Sequence, residues 1–193
     1  ECLLKGSILG RRAEPFELLE TLRWTPTEGW FLLERHLSRL DRSARYFSYR
    51  CSPGDVRAAL ERAIAGVGYP LRVRLLLSED GAARVEHTPL ETKGGPMRLR
   101  MAKAPVDASN VFLFHKTTRR EVYERARLAD CDDVVLWNGR GEVTETTIAN
   151  LVFEIAGSLV TPAVECGLLA GTFREELLAG GTVLERVITV AEA

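Results

Sequence analysis

Two strand-like stretches, Leu71 to Leu77 and Ala83 to His87, are separated only by a short stretch containing Glu79-Asp80-Gly81, and this spacing constrains the fold more than any other feature. A connection so short joins neighbouring antiparallel strands, because a parallel crossover needs a dozen or more residues. A similar pair precedes it. Pro15 to Trp24 reads as a strand, Thr25-Pro26-Thr27-Glu28-Gly29 as a turn, and Trp30-Phe31-Leu32-Leu33 as the returning strand. Separate hairpins and helices predict an α+β fold and argue against a doubly wound sheet.

Between the hairpins, Leu33, Leu37, Leu40, Ala44 and Phe47 recur at helical spacing, which puts Arg35, His36, Arg39 and Arg42 on the polar flank or end of one helix. Ser52-Pro53-Gly54-Asp55 has the hydroxyl cap, the proline and the carboxylate of a helix start, with Val56, Leu60 and Ile64 on one face and Gly66 and Gly68 closing it. Pro89 to Pro96 reads as a loop and Met97 to Ala102 as a strand. Further on, the pattern predicts a charged helix over Arg119 to Ala129, then strands over Val134 to Trp137, Glu142 to Thr147 and Asn150 to Glu154. A short helix over Thr172 to Leu178 and a strand over Val183 to Val190 complete the reading. A boundary near Pro105 to Ser109 divides the chain into a smaller domain, 1–105, and a second, 106–193. That division places Lys116 just past a domain junction, where ligand clefts tend to form.

Lys116 stands out chemically. Of the 26 basic residues, 22 are Arg, and only Lys5, Lys93, Lys103 and Lys116 are Lys. Arg keeps its proton at any useful pH, whereas a Lys withdrawn from water can lose it and react with a carbonyl as a neutral amine. The formal net charge of −1 argues against a nucleic-acid face. Cys2, Cys51, Cys131 and Cys166 are scattered, and His36, His87 and His115 are dispersed, so neither a metal site nor a disulfide framework is indicated. No apolar run is long enough to span a bilayer, and the expected location is the cytoplasm.

Three further features share one explanation with Lys116. Gly171 before a helix at Thr172 offers free backbone N–H groups and the positive end of a helix dipole, a seat for a phosphate. Arg39 can clamp the same phosphate, and Glu145, placed after a tight turn, can hold a proton on a ring nitrogen. An amine, a phosphate seat and a carboxylate together suit pyridoxal 5′-phosphate.

The strings Glu20-Thr21, His36-Leu37-Ser38-Arg39-Leu40, His115-Lys116-Thr117-Thr118, Glu142 to Asn150 and Leu168 to Arg174 resemble, in order, the motifs of the class IV (fold type IV) pyridoxal-phosphate enzymes. The spelling H-K-T-T-R-R-E-V-Y and the start Glu1-Cys2-Leu3-Leu4-Lys5 look most like the aminodeoxychorismate lyase portion of fused para-aminobenzoate synthase chains. The resemblance implies a two-domain fold, an N-terminal α/β sandwich and a C-terminal pseudo-barrel, with the cofactor between them in a homodimer. It also implies that Lys116 holds the cofactor as a Schiff base and acts as acid and base, and that Glu145 faces the ring nitrogen. Arg39 with the backbone at Gly171, Thr172 and Phe173 would hold the phosphate, Thr146 and Thr147 would line the cofactor, and Arg23 would meet a substrate carboxylate.

The implied activity is release of pyruvate and 4-aminobenzoate from 4-amino-4-deoxychorismate, in the folate pathway, fused to or working with aminodeoxychorismate synthase. A class IV aminotransferase for branched-chain or D-amino acids uses the same motifs, and a non-catalytic domain of a synthase chain is a third reading. The chain departs from the family where Ala13-Glu14-Pro15-Phe16 stands in place of a G-D-G-x-F loop, and it lacks the family's closing segment past Val190.

Overall fold

The computed structural model describes residues 14–91 and 94–193. The readings on Glu1 to Ala13 and on Lys93 lie outside them. A four-stranded antiparallel sheet forms first, in the order β2-β1-β3-β4, from β1 (Leu18–Thr25), β2 (Gly29–Trp30), β3 (Leu71–Leu77) and β4 (Ala83–Pro89). Leu18, Leu22, Trp24, Leu71, Val73, Leu75 and Leu77 pack from it against Leu40 and Ala44 of α1 (Leu33–Phe47) and Val56 and Leu60 of α2 (Pro53–Ile64). The predicted cap is present: Ser52 Oγ accepts the Asp55 N–H at 3.4 Å, with proline in the first turn.

The second half builds two smaller sheets. β5 (Leu99–Met101) pairs in parallel with β6 (Asp133–Trp137), which pairs antiparallel with β7 (Val143–Thr146). The other sheet joins β8 (Phe153–Ile155), β9 (Ser158–Pro162) and β10 (Leu184–Arg186) in the order β10-β9-β8. A separate core of Ala102, Val106, Leu113, Tyr123, Val134 and Leu136 lies behind β6. Between these strands run two short helices, α3 (Glu121–Ala126) and α4 (Thr172–Ala179). Several sheets with few helices match the α+β expectation. No helix among the described residues is long and apolar enough to cross a membrane.

Four expectations need correction. The helix expected over Arg119 to Ala129 is only Glu121–Ala126. Arg119 is drawn away to lie over the Phe112 ring at 4.9 Å, and Leu128 leaves the helical path to pack on the second core. The return strand expected over Trp30 to Leu33 shrinks to Gly29–Trp30, because Leu32 turns left-handed (φ 54°) and Leu33 already begins α1. The final strand is three residues long, and Thr189 makes a single bridge to Glu142 instead of extending it. Two of the residues expected on the polar flank or end of the first helix, His36 and Arg39, are buried, for reasons given below.

Leu18 is fully buried and lies directly opposite Thr117, so it belongs to the core and also fixes the segment after Lys116. A Leu18→Ala variant is expected to lose about 3 kcal/mol of stability. Urea unfolding followed by tryptophan fluorescence measures it, and a loss within error would show that the first core does not depend on this contact.

Candidate active site

Lys116 is placed by the free edge of β1. Leu19 donates its N–H to the Lys116 carbonyl at 2.9 Å, Thr118 donates to the Glu17 carbonyl at 2.9 Å, and Leu18 bridges Thr117 in antiparallel register. One residue earlier, His115 Nδ1 meets Ser43 Oγ of α1 at 2.9 Å, and its ring lies 4.9 Å from that of Phe47. A segment held on both sides in this way leaves its lysine little freedom of direction. The Lys116 side chain is half-buried and stands among Glu20, Arg39, Arg120 and Glu145. Burial lowers its ammonium to about 8, with Arg39 and Arg120 acting in the same direction against the pull of Glu20 and Glu145.

Glu20 follows from strand parity. It is in phase with Leu18, Leu22 and Trp24, so β1 turns its carboxylate toward the helices with those apolar side chains. A charge buried there needs partners, and α1 supplies two. Arg39 donates Nε to Glu20 Oε1 at 2.8 Å and Nη2 to Oε2 at 2.6 Å, a bidentate pair, and His36 Nδ1 meets Oε2 at 2.7 Å. Burial alone would raise the Glu20 carboxyl; Arg39 and His36 override it and bring it down to about 2.

Both partners also reach the turn before α4. Arg39 Nη1 donates to the Ala170 carbonyl at 3.0 Å, and His36 Nε2 lies 3.3 Å from Thr172 Oγ1. Three of the five guanidinium N–H groups are thus used, leaving two free to meet an anion. Gly171 is the N-cap of α4 with no side-chain cap, and a Cβ there would meet Asn150 Oδ1 and push aside the amide that bonds Glu145 and Leu169.

Glu145 sits at a β-bulge. The step from Val135 to Trp137 on β6 is matched by the longer step from Val143 to Thr146 on β7, and the extra residue breaks the alternation so that all four β7 residues are buried. Three donors surround the carboxylate: Tyr123 Oη at 2.9 Å and the Leu169 N–H at 3.2 Å on Oε1, and Asn150 Nδ2 at 3.2 Å on Oε2. Burial nevertheless raises Glu145 to about 7, against the pull of Tyr123 and Leu169.

Lys116, Arg39, Glu145 and the Gly171–Thr172 turn are therefore brought together. The other expected residues are placed differently. Thr146 Oγ1 donates to the Ala149 carbonyl and Thr147 Oγ1 to Asp133 Oδ1, so both hydroxyls hold the local turn. Phe173 turns its ring outward, 54% exposed, 5.8 Å from that of Phe31. Arg23 is paired with Glu28 at 3.1 Å and lies over the Phe31 ring at 4.7 Å. Surface cavities lined by Val106, Phe112 and Arg125, and by Phe16, Tyr49 and Thr118, flank the Lys116 segment without including Lys116. Tyr123 and Asn150, and the buried roles of Glu20 and His36, were not foreseen. For Glu20 the signal was present, since a carboxylate in phase with three apolar residues points into the core.

The amino-transferase class IV profile matches residues 17–193. The chain is 34% identical over 165 residues to a Schizosaccharomyces pombe protein described as "Putative aminodeoxychorismate lyase", covering 80% of this chain and 71% of that one. It is 28% identical to a Thermotoga maritima protein described as "Probable branched-chain-amino-acid aminotransferase", over 86% of this chain and 63% of that one. A solved structure described as a "Putative amino-acid aminotransferase" from Mesorhizobium loti is 37% identical, with a TM-score of 0.86 over 91% of this chain and 88% of that one.

The Glu20 network has a direct consequence for stability. Its folded carboxyl lies below the ordinary value of 4.5, so its contribution is complete above pH 4.5 and is lost as the pH falls toward about 2. Glu20→Gln is expected to cost about 3 kcal/mol near neutrality by leaving Arg39 without its partner. Urea unfolding of both proteins between pH 2 and 7 should show the difference fading at the acid end; a difference constant with pH would contradict the ionic assignment.

Proposed function

This chain belongs to the class IV aminotransferases, an enzyme family, and from that premise we propose that it is a pyridoxal-phosphate-dependent lyase converting 4-amino-4-deoxychorismate to 4-aminobenzoate and pyruvate. The observation that carries the reading is the placement of a half-buried lysine, its ammonium lowered to about 8, among Glu20, Arg39, Arg120 and Glu145. The residues fit that cofactor in three respects. Lys116 offers an amine that is partly neutral near pH 8, the Gly171 turn offers uncapped backbone N–H groups beside Arg39, and Glu145 offers a carboxylate surrounded by donors. The cofactor, when bound, supplies an aldehyde for Lys116 and a protonated ring that accepts an electron pair.

The chain's own residues then divide the work. Arg39 and the N–H groups of Thr172 and Phe173 would hold the phosphate, Thr146 and Thr147 would line the cofactor, and Glu145 would hold the proton at the ring nitrogen. Lys116 Nζ would remove the proton from the substrate carbon next to nitrogen and return one to the departing enolpyruvyl group, which leaves as pyruvate. Arg23, exposed on β1, would have to leave Glu28 to meet a substrate carboxylate. The proposal includes a homodimer in the cytoplasm, fused to or working with aminodeoxychorismate synthase, and a division of the chain at 105–106 with Lys116 close to the junction.

The Mesorhizobium loti structure favours a second reading, an amino-acid aminotransferase using the same residues. Pyruvate release without an amino acceptor supports the lyase; keto-acid formation that requires one supports the aminotransferase. Under either reading Lys116→Ala is expected to be inactive, and retention of full activity would overturn both. A spectrum unchanged by added pyridoxal phosphate would favour a non-catalytic synthase domain. Because the neutral amine is the reacting form, the rate of imine formation should rise about tenfold per pH unit below pH 8 and level off above it, as followed by stopped-flow absorbance. A rate that keeps rising about tenfold per pH unit past pH 9 would contradict the lowered lysine.

A further inference from the structure

We propose that Tyr123 is a positioning residue for this chemistry: its hydroxyl holds Glu145 in the ionised form and aims the remaining carboxylate lone pairs into the site. The inference rests on the cofactor reading above and concerns a residue that reading leaves unused. Tyr123 lies on α3 with its ring buried in the second core, and its Oη donates to Glu145 Oε1 at 2.9 Å. The hydroxyl is the only polar atom of that side chain, and it is spent on this one contact.

The other atoms around Glu145 act in the same direction. The Leu169 N–H and Asn150 Nδ2 are both donors, and Asn150 is fixed in that sense because Nδ2 also donates to the Leu169 carbonyl at 2.9 Å. A donor bonds the charged oxygens of a carboxylate more strongly than the carbonyl oxygen of a protonated carboxyl, so the shell favours the anion. The charged groups facing Glu145 are Lys116 and Arg120, with Arg39 within range, and all are cations. Of the three donors, only the tyrosine hydroxyl can be removed without touching the backbone or the Gly171 turn. Arg120 fixes the ring from above, its guanidinium 4.6 Å from the ring centre and its Nη2 donating to the Thr147 carbonyl at 2.5 Å.

A ring nitrogen facing Glu145 shares one proton with it. Each donor on the carboxylate favours the arrangement in which that proton sits on nitrogen, which is what an electron-accepting ring requires. Removing the Tyr123 hydroxyl should therefore move the proton toward oxygen while the core around the ring stays filled.

The test uses wild type, Tyr123→Phe, and protein carrying 3-fluorotyrosine at position 123, which nearly keeps the ring's shape and strengthens its donor. Each is loaded with pyridoxal phosphate labelled with 15N at the ring nitrogen. We expect a pyridinium shift in wild type, displacement toward free pyridine in Tyr123→Phe, and the opposite displacement, or none, with fluorotyrosine. In the protein without cofactor, Glu145 should titrate about one pH unit higher in Tyr123→Phe, by 13C NMR of labelled glutamate. A purely structural tyrosine lowers the melting temperature and moves neither reading. Unchanged 15N and 13C values in Tyr123→Phe overturn the proposal and leave the cofactor reading intact. Should Tyr123→Phe fail to fold, a fluorotyrosine protein with a displaced Glu145 titration supports the proposal and one with an unchanged titration overturns it. If wild type shows no imine absorbance on adding the cofactor, the cofactor reading falls and the proposal falls with it.

Discussion

A buried carboxylate on β1 organises this molecule. Glu20 is buried on the strand face it shares with Leu18, Leu22 and Trp24, a position that is tolerable because Arg39 grips both oxygens and His36 shares one of them. Those two residues extend to Ala170 and Thr172, so the same charge that locks α1 onto the first sheet also fixes the turn opening α4. One residue before Glu20, the Leu19 N–H holds the Lys116 carbonyl. Two adjacent positions on one strand therefore set both the amine and the anion seat, which come from chain segments more than fifty residues apart in sequence.

Desolvation acts on the two central groups with opposite sign. It destabilises whichever form is charged, lowering Lys116 to about 8 and raising Glu145 to about 7. An amine and a carboxyl that differ widely in water are brought to the edge of neutrality, where either can gain or lose a proton with little driving force. Glu20 in the same region goes the other way, because its two cationic partners outweigh its burial. The contrast separates a carboxylate that holds structure from one whose proton is free to respond to a ligand.

Much of this was legible in the chain. The turn at Glu79-Asp80-Gly81 dictated an antiparallel pair and the cap at Ser52 a helix start, and both are present. Lys116, Arg39, Glu145 and Gly171 are singled out together by strings that resemble the class IV motifs, each being weak alone, and the fold places them in one region. What periodicity does not encode was missed. The β7 bulge that turns Glu145 inward depends on pairing with β6, the short α3 depends on Arg119 finding the Phe112 ring, and Tyr123 depends on both. Arg39 was assigned to a ligand, and its larger commitment to Glu20 appears only when β1 and α1 are packed together.

The central claim is that one amine, and no other, closes on the aldehyde. Adding pyridoxal phosphate, reducing with sodium borohydride and mapping the digested peptides by mass spectrometry addresses it directly. The account predicts the reduced adduct on the peptide containing Lys116 and not on that containing Lys103. An adduct confined to another lysine, or none at all, would contradict it.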